Sequence, residues 1–157
     1  MWLPFTNLQA DMFNPKFVGH SFPTKTIKVE EGKLKFFSKT IGETNPIYFD
    51  KDAASKAGYR SLLAPPTYSF SLTLEDDSLE DKYVPLGMDL GKLLHGAQKF
   101  EYFKEICAED TVTIDAKIID IFQKKGGALD FLIEKQVIKN TDGEILAVLT
   151  QTFIMRH

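Results

Sequence analysis

The chain has 157 residues, 43% of them apolar; because single domains commonly run about 100 to 200 residues, this predicts one compact domain over 1–157. Its one cysteine, Cys107, excludes an intrachain disulfide and a cysteine-based zinc site. With 19 basic against 22 acidic residues, a formal charge of -3 and no basic run, nothing draws the chain to nucleic acid or to an anionic membrane surface. No apolar stretch approaches the roughly 20 residues a bilayer crossing needs. Met1-Trp2-Leu3-Pro4-Phe5 has neither the positive start nor the sustained apolar run of a secretory signal, so a cytoplasmic location is expected.

Taken in chain order, residues 1–23 carry Pro4, Pro15 and Pro23 and predict an irregular lead-in whose Phe5, Phe13 and Phe17 pack on the domain. Residues 24–29 alternate polar and apolar side chains, as a short strand does. Over 31–41, Leu34, Phe37 and Ile41 recur at spacings of three and four, which predicts a helix stopped by Gly42. Glu43-Thr44-Asn45-Pro46 is turn chemistry, since Pro46 disfavours helical geometry at Asn45. Asp50 is placed to cap a short helix over 51–57, closed by Gly58. Ala64-Pro65-Pro66-Thr67 then puts proline where a further helix, 67–74, begins, and its Tyr68, Phe70, Leu72 and Leu74 predict burial on most sides.

Residues 75–82 include five acidic side chains among eight and predict a solvated loop. Four strand-like runs follow, at 95–103, 111–122, 129–139 and 145–155; Val112, Ile114, Ala116 and Ile118 show the period of two most clearly. Lys124-Lys125-Gly126-Gly127 and Asn140-Thr141-Asp142-Gly143 are hairpin signals, so the runs predict an antiparallel meander. Helices feeding a long antiparallel sheet must bury their apolar stripes on one of its faces, which gives an α+β domain.

The segment Phe37-Ser38-Lys39-Thr40-Ile41-Gly42-Glu43-Thr44-Asn45-Pro46-Ile47-Tyr48-Phe49-Asp50 resembles the signature of the MaoC-like (R)-specific enoyl-CoA hydratases, Gly-Asp-x-Asn-Pro-[Leu/Ile]-His followed two residues on by Asp. Ala53-Ala54 through Gly58-Tyr59, Leu63-Ala64-Pro65-Pro66-Thr67, and Leu94-His95-Gly96-Ala97-Gln98-Lys99-Phe100-Glu101-Tyr102 are similar to the related FAS1-like dehydratase N-terminal domain, and the resemblance covers about residues 18–156. It implies a hot-dog fold, a long antiparallel sheet wrapped around a central helix at 67–74. It further implies an acyl-CoA or acyl-carrier-protein thioester as substrate and a second hot-dog chain as partner. No cysteine, histidine or glycine-rich constellation in the sequence supports a metal or redox cofactor.

In catalytic members the Asp of the signature acts as general base and the His shares proton transfer; the matching positions here are Glu43 and Tyr48, with Asn45 between them. Glu43 keeps a carboxylate on a longer arm, and displacement by about an ångström can cost roughly a hundredfold in rate. A phenol with an unperturbed pKa near 10 is a poor proton acceptor at neutral pH, whereas histidine near 6.5 serves both directions. Glu43 also reads simply as a polar residue after a glycine stop, Asn45 as a turn brace and Tyr48 as a rim aromatic. Hot-dog enzymes present backbone amides at the start of the central helix to the thioester oxygen. Pro65 and Pro66 remove two of these and leave Thr67 and Tyr68 as the substrate-binding candidates, together with His95 at the matching position of the later motif. Prolines there are equally ordinary first-turn residues, and His95 equally a structural hydrogen-bonding group. Cys107 lies between acidic residues that discourage a thiolate.

Three functions fit this pattern. The first is a degenerate subunit of an (R)-specific hydratase or dehydratase that shapes the acyl site while its partner supplies Asp and His. The second is a self-sufficient hydratase or thioesterase using Glu43, and the third a non-catalytic acyl-thioester binding homodimer.

Overall fold

Period-two alternation becomes a sheet of long strands in the computed structural model, which describes residues 12–75 and 78–157; Phe5 of the expected lead-in packing lies outside the described residues. The strands are β1 (Lys25–Lys28), β2 (Leu93–Tyr102), β3 (Thr111–Lys124), β4 (Leu129–Asn140) and β5 (Ile145–Arg156). Along β3 and β4 the buried positions alternate with less buried ones, as one covered face requires. All pairings are antiparallel, and the strand order is β1-β3-β4-β5-β2.

That order corrects the expected meander: β3, β4 and β5 follow one another, but β2 lies beyond β5 rather than beside β3. The reason is the link between β2 and β3. Glycine-bearing turns close the β3–β4 and β4–β5 hairpins, whereas residues 103–110 carry no such turn and run past the sheet end, where Phe103 and Lys104 amides donate to the Leu146 carbonyl at 2.9 and 3.1 Å.

The helices are α1 (Glu31–Thr40), α2 (Lys51–Lys56), α3 (Tyr68–Thr73) and α4 (Leu79–Tyr83). α1 ends at Gly42, whose φ of 78° suits glycine, while the Glu43 amide donates to the Ser38 carbonyl at 3.0 Å. Ile41, expected on its apolar stripe, is 47% exposed; Ser38 is buried instead, its hydroxyl satisfied at 2.9 Å by the Leu34 carbonyl one turn back. α3 is the central helix. Its Tyr68 and Leu72 enter one core with Leu34 of α1 and with Val112, Ile114, Ile138 and Leu149 of the sheet, whereas Leu74 is 46% exposed.

α4 corrects the reading of 75–82 as a solvated loop over its second half, 79–82. Ser78 caps it by accepting the Asp81 amide at 3.2 Å, Glu80 and Asp81 complement the positive end of its dipole, and Tyr83 is buried. Glu80 and Asp81, read as loop, are first-turn residues of a helix, whereas residues 76 and 77 of that reading lie outside the described residues. With Phe13 of the lead-in, Leu86 and Met88, Tyr83 builds a second core cluster against Ile118, Leu132, Phe153 and Met155. Among the described residues no helix is long and apolar enough to cross a membrane.

Candidate functional site

The signature loop is built by local hydrogen bonds. Asn45 accepts the Ile47 amide at 3.2 Å and so caps a 3₁₀ turn, Pro46–Tyr48; Asp50 accepts the amides of Asp52 and Ala53 at 2.7 and 3.1 Å and starts α2. The Leu63 amide donates to the Ile47 carbonyl at 3.2 Å and the Ala64 amide to the Ile106 carbonyl at 2.8 Å, fixing the loop beside the approach to α3. Between them is a cavity of about 310 Å³ whose lining includes Tyr48, Pro65, Pro66, Ser69 and Tyr102. The Pro66 carbonyl closes one side, accepting from the Ser69 hydroxyl and the Tyr102 hydroxyl, each at 3.0 Å. Ser69 and Tyr102 carry no motif that would mark them in advance; only the i to i−3 spacing from Ser69 to Pro66 is legible, and Tyr102 arrives from a distant strand.

Tyr48 faces this cavity as a neutral phenol, because burial, then the Glu43 carboxylate, then Tyr59 push its pKa above the usual phenol value. Its hydroxyl can donate to a substrate oxygen at neutral pH but cannot serve as base. Glu43 is near enough for its charge to reach Tyr48, yet it is not among the residues that line the cavity. Of the amides considered for the thioester oxygen, that of Tyr68 donates to the Pro65 carbonyl at 2.9 Å; the Thr67 amide has no backbone acceptor among the described residues. The donor set at the start of α3 is therefore smaller than the prolines alone suggest.

The structure separates the other candidates from this cavity. The Tyr68 side chain packs edge-on against Phe37, with centroids 5.2 Å apart, in a groove between α1 and α3. His95 lies in another cavity, 5.4 Å from the Phe70 ring and 5.9 Å from that of Phe153, with Nε2 3.1 Å from the Ala97 carbonyl across a β2 bulge. Cys107 is fully buried, and burial raises its thiol pKa against the opposing pull of Arg60. Among the described residues no cluster of three or more His, Cys, Asp and Glu side chains is arranged to hold a metal ion.

Burial also pushes the Tyr68 pKa up to about 12, and its hydroxyl has no hydrogen-bond partner. The folded state binds this proton more tightly than the unfolded chain, where the pKa is near 10. The resulting stability is complete below pH ~10 and is lost as pH rises through ~12. Tyr68→Phe is expected to be neutral or stabilising at pH 7 and to move the alkaline unfolding midpoint upward. A pH series of thermal melts on both proteins measures this.

The most concentrated buried polar cluster lies beneath α4. Glu134 on β4, fully buried, accepts from Lys82 Nζ at 3.0 Å, the Tyr83 hydroxyl at 2.9 Å, Gln136 Nε2 at 2.7 Å and Gln151 Nε2 at 3.1 Å. Alternation along β4 marks these positions as inward-facing, but nothing in the sequence pairs Lys82 with a carboxylate 52 residues away.

A long antiparallel sheet packed on a short central helix, with a capped Asn-Pro turn beside that helix's start, defines a hot-dog protein of the dehydratase type. The FAS1-like dehydratase domain region matches residues 16–149, and the chain belongs to this family. A curated relative, the UPF0336 protein of Streptomyces avermitilis, is 36% identical over 106 residues, 67% of this chain and 71% of the relative. Two solved structures from Mycobacterium tuberculosis share the fold. The HadBC (3R-hydroxyacyl-ACP dehydratase) complex matches with a TM-score of 0.71 and 24% identity over 88% of this chain and 96% of that one. The ChsH1-ChsH2 complex matches with a TM-score of 0.71 and 20% identity over 87% and 89%.

Proposed function

We propose that this chain is the acyl-site subunit of a two-chain (R)-specific 3-hydroxyacyl-thioester dehydratase, or hydratase in the reverse direction, whose second hot-dog chain supplies the catalytic Asp and His. The observation that carries this reading is Tyr48. It occupies the histidine position of the signature, faces the cavity at the start of α3, and is held neutral there. Dehydration removes a proton from C2, breaks the C3–O bond and delivers a proton to the departing hydroxyl, leaving an enoyl thioester and water. Among the described residues no imidazole lines this cavity to carry those protons. What the chain does offer is positioning. The hydroxyls of Ser69 and Tyr102 fix the Pro66 carbonyl, and the Tyr48 hydroxyl is a donor for a substrate oxygen. The thioester is an acyl-CoA or an acyl-carrier-protein conjugate, which share the phosphopantetheine arm.

The sheet order supports a partner chain. β2 is a ten-residue edge strand, largely exposed, with its outer row of backbone groups unpaired by any described strand. Long unpaired edges are normally covered. The HadBC and ChsH1-ChsH2 neighbours are complexes of two different chains, which favours a second hot-dog chain as that cover. Light scattering at micromolar concentration is expected to show an assembly above the 17.8 kDa of one chain; a mass equal to one chain, with and without a coexpressed hot-dog partner, would overturn the reading.

A further inference from the structure

α3 and α4 cover one face of the sheet. On the opposite face Phe122 of β3, Phe131 of β4, Ile154 of β5 and Leu94 of β2 are successive cross-strand partners, an apolar row across four strands. Phe122 and Phe131 stack with centroids 4.9 Å apart and planes within 4°, and Lys124 Nζ lies 5.4 and 5.0 Å from those centroids. Gly96 keeps the row continuous at β2. A Cβ there would stand 2.4 Å from Ile154 Cδ1, so glycine lets the Ile154 side chain lie across the strand.

Cations flank this row on both sides. Lys124 and Arg156 lie two residues beyond it at one end; towards the other end Lys117 of β3, Lys135 of β4, Thr150 of β5 and Lys99 of β2 form a second cross-strand row. Lys117 and Lys135 stand directly opposite each other, which costs stability in the free sheet. On this face of β2–β5 six side chains are basic, the sixth being Lys139, and three are acidic, Glu101, Asp115 and Asp120, although the chain as a whole carries a formal charge of -3. Lys139 holds Asp115 at 2.7 Å and Lys99 holds Glu101 at 3.2 Å. Lys117, Lys124, Lys135 and Arg156 have no carboxylate within ion-pair distance among the described residues.

We propose that this face docks an acidic amphipathic helix of a partner protein, with the helix's apolar stripe on the row from Phe122 to Leu94 and its carboxylates on the cations to either side. Four strands about 4.8 Å apart make the row about 14 Å long, the length of roughly ten helical residues. Along the strands, Lys124 and Arg156 are about 7 Å from the row and the lysine row about 13 Å, spans that a helix about 10 Å wide and the arms of lysine cover together. Other occupants fit less well. The same face of a second copy would set these cations against their own kind. The rings of Phe122 and Phe131 are engaged with each other and with Lys124, which leaves no platform for nucleobases. Of the apolar row only Leu94, at 43%, is well exposed, too little apolar surface for insertion into a lipid interface. None of these residues lines the cavity that Tyr48 faces, so the proposal stands apart from the dehydratase reading.

The test is an NMR titration of the full chain with a helical peptide of about 14 residues, long enough to cover the row, carrying leucine along one face and glutamate on both flanks. A matching peptide has lysine in place of glutamate. Only the acidic peptide is expected to bind, with backbone amide shifts concentrated in residues 94–99, 117–124, 131–135 and 150–156. Lys117→Glu with Lys135→Glu should weaken it roughly tenfold, since two surface attractions become repulsions. Lys39→Glu with Lys56→Glu, the same charge change on α1 and α2, should leave it unaltered. All four lysines are exposed, so both double variants keep the fold. No binding at millimolar peptide, equal binding of the lysine peptide, shifts centred elsewhere, or equal loss in the two double variants would each overturn the proposal. Binding of phosphatidylglycerol vesicles or of oligo-dT at these residues, with the acidic peptide inert, would assign the face to lipid or nucleic acid and overturn it as well.

Discussion

The purified chain alone is expected to hydrate enoyl thioesters far below ordinary enzyme rates of about 1 to 1,000 per second. Each well-placed acid or base is worth roughly a hundred to ten thousandfold, and here the histidine position holds a neutral phenol while the carboxylate of Glu43 does not line the cavity. Coexpression with a hot-dog chain that carries intact Asp and His is expected to raise the rate by at least about a hundredfold. Restoring both groups in this chain, Glu43→Asp with Tyr48→His, should gain less than about tenfold. The Tyr68 amide is already committed to the Pro65 carbonyl, and loss of a single oxyanion donor can cost roughly a hundred to a thousandfold. Loss of enoyl-thioester absorbance on the three preparations measures these differences. Turnover by the unmodified chain at ordinary rates, abolished by Glu43→Ala, would instead establish a self-sufficient enzyme.

The largest stability effect is expected at Glu134. Glu134→Ala removes the acceptor of four donors, one of them the ammonium of Lys82, whose side chain is 8% exposed. Breaking a buried charge pair in this way costs about 3–5 kcal/mol, comparable to or larger than the ~2–5 kcal/mol of a Leu72→Ala cavity in the main core. Glu134→Gln, which keeps the shape and gives up the charge, should lose less. Urea unfolding at unchanged m-value reads the difference from the midpoints. A loss below ~1 kcal/mol for Glu134→Ala would mean that water reaches the cluster and replaces the carboxylate.

Much of this architecture is legible from periodicity. The strand runs at 111–122, 129–139 and 145–155 become β3, β4 and β5 with ends moved by a residue or two, because one buried face imposes alternation on each. The central helix is legible from Pro65, Pro66 and an apolar run. What is not legible depends on long-range packing. Acidic composition hides α4, whose place is set by the burial of Tyr83 in a core completed by Phe13 and Met155. Local turn chemistry accounts for the hairpins but leaves open where β2 pairs. At the candidate site, two separate motifs mark Tyr48 and the Pro65-Pro66 pair, folding brings them to one cavity with Ser69 and Tyr102, and His95 and the Tyr68 ring point into other spaces.

The position of β2 also governs the order in which the protein can assemble during synthesis. β1 waits for β3, and β2, made soon after the central helix, has no partner in its own chain until β5 emerges. At roughly 5–20 residues per second, the ribosome takes about 3–10 s to pass from Tyr102 to Arg156. Throughout that interval the ten-residue edge of β2 is open on both sides, so a preformed hot-dog partner that captured its outer edge would engage the nascent chain before its own sheet had closed.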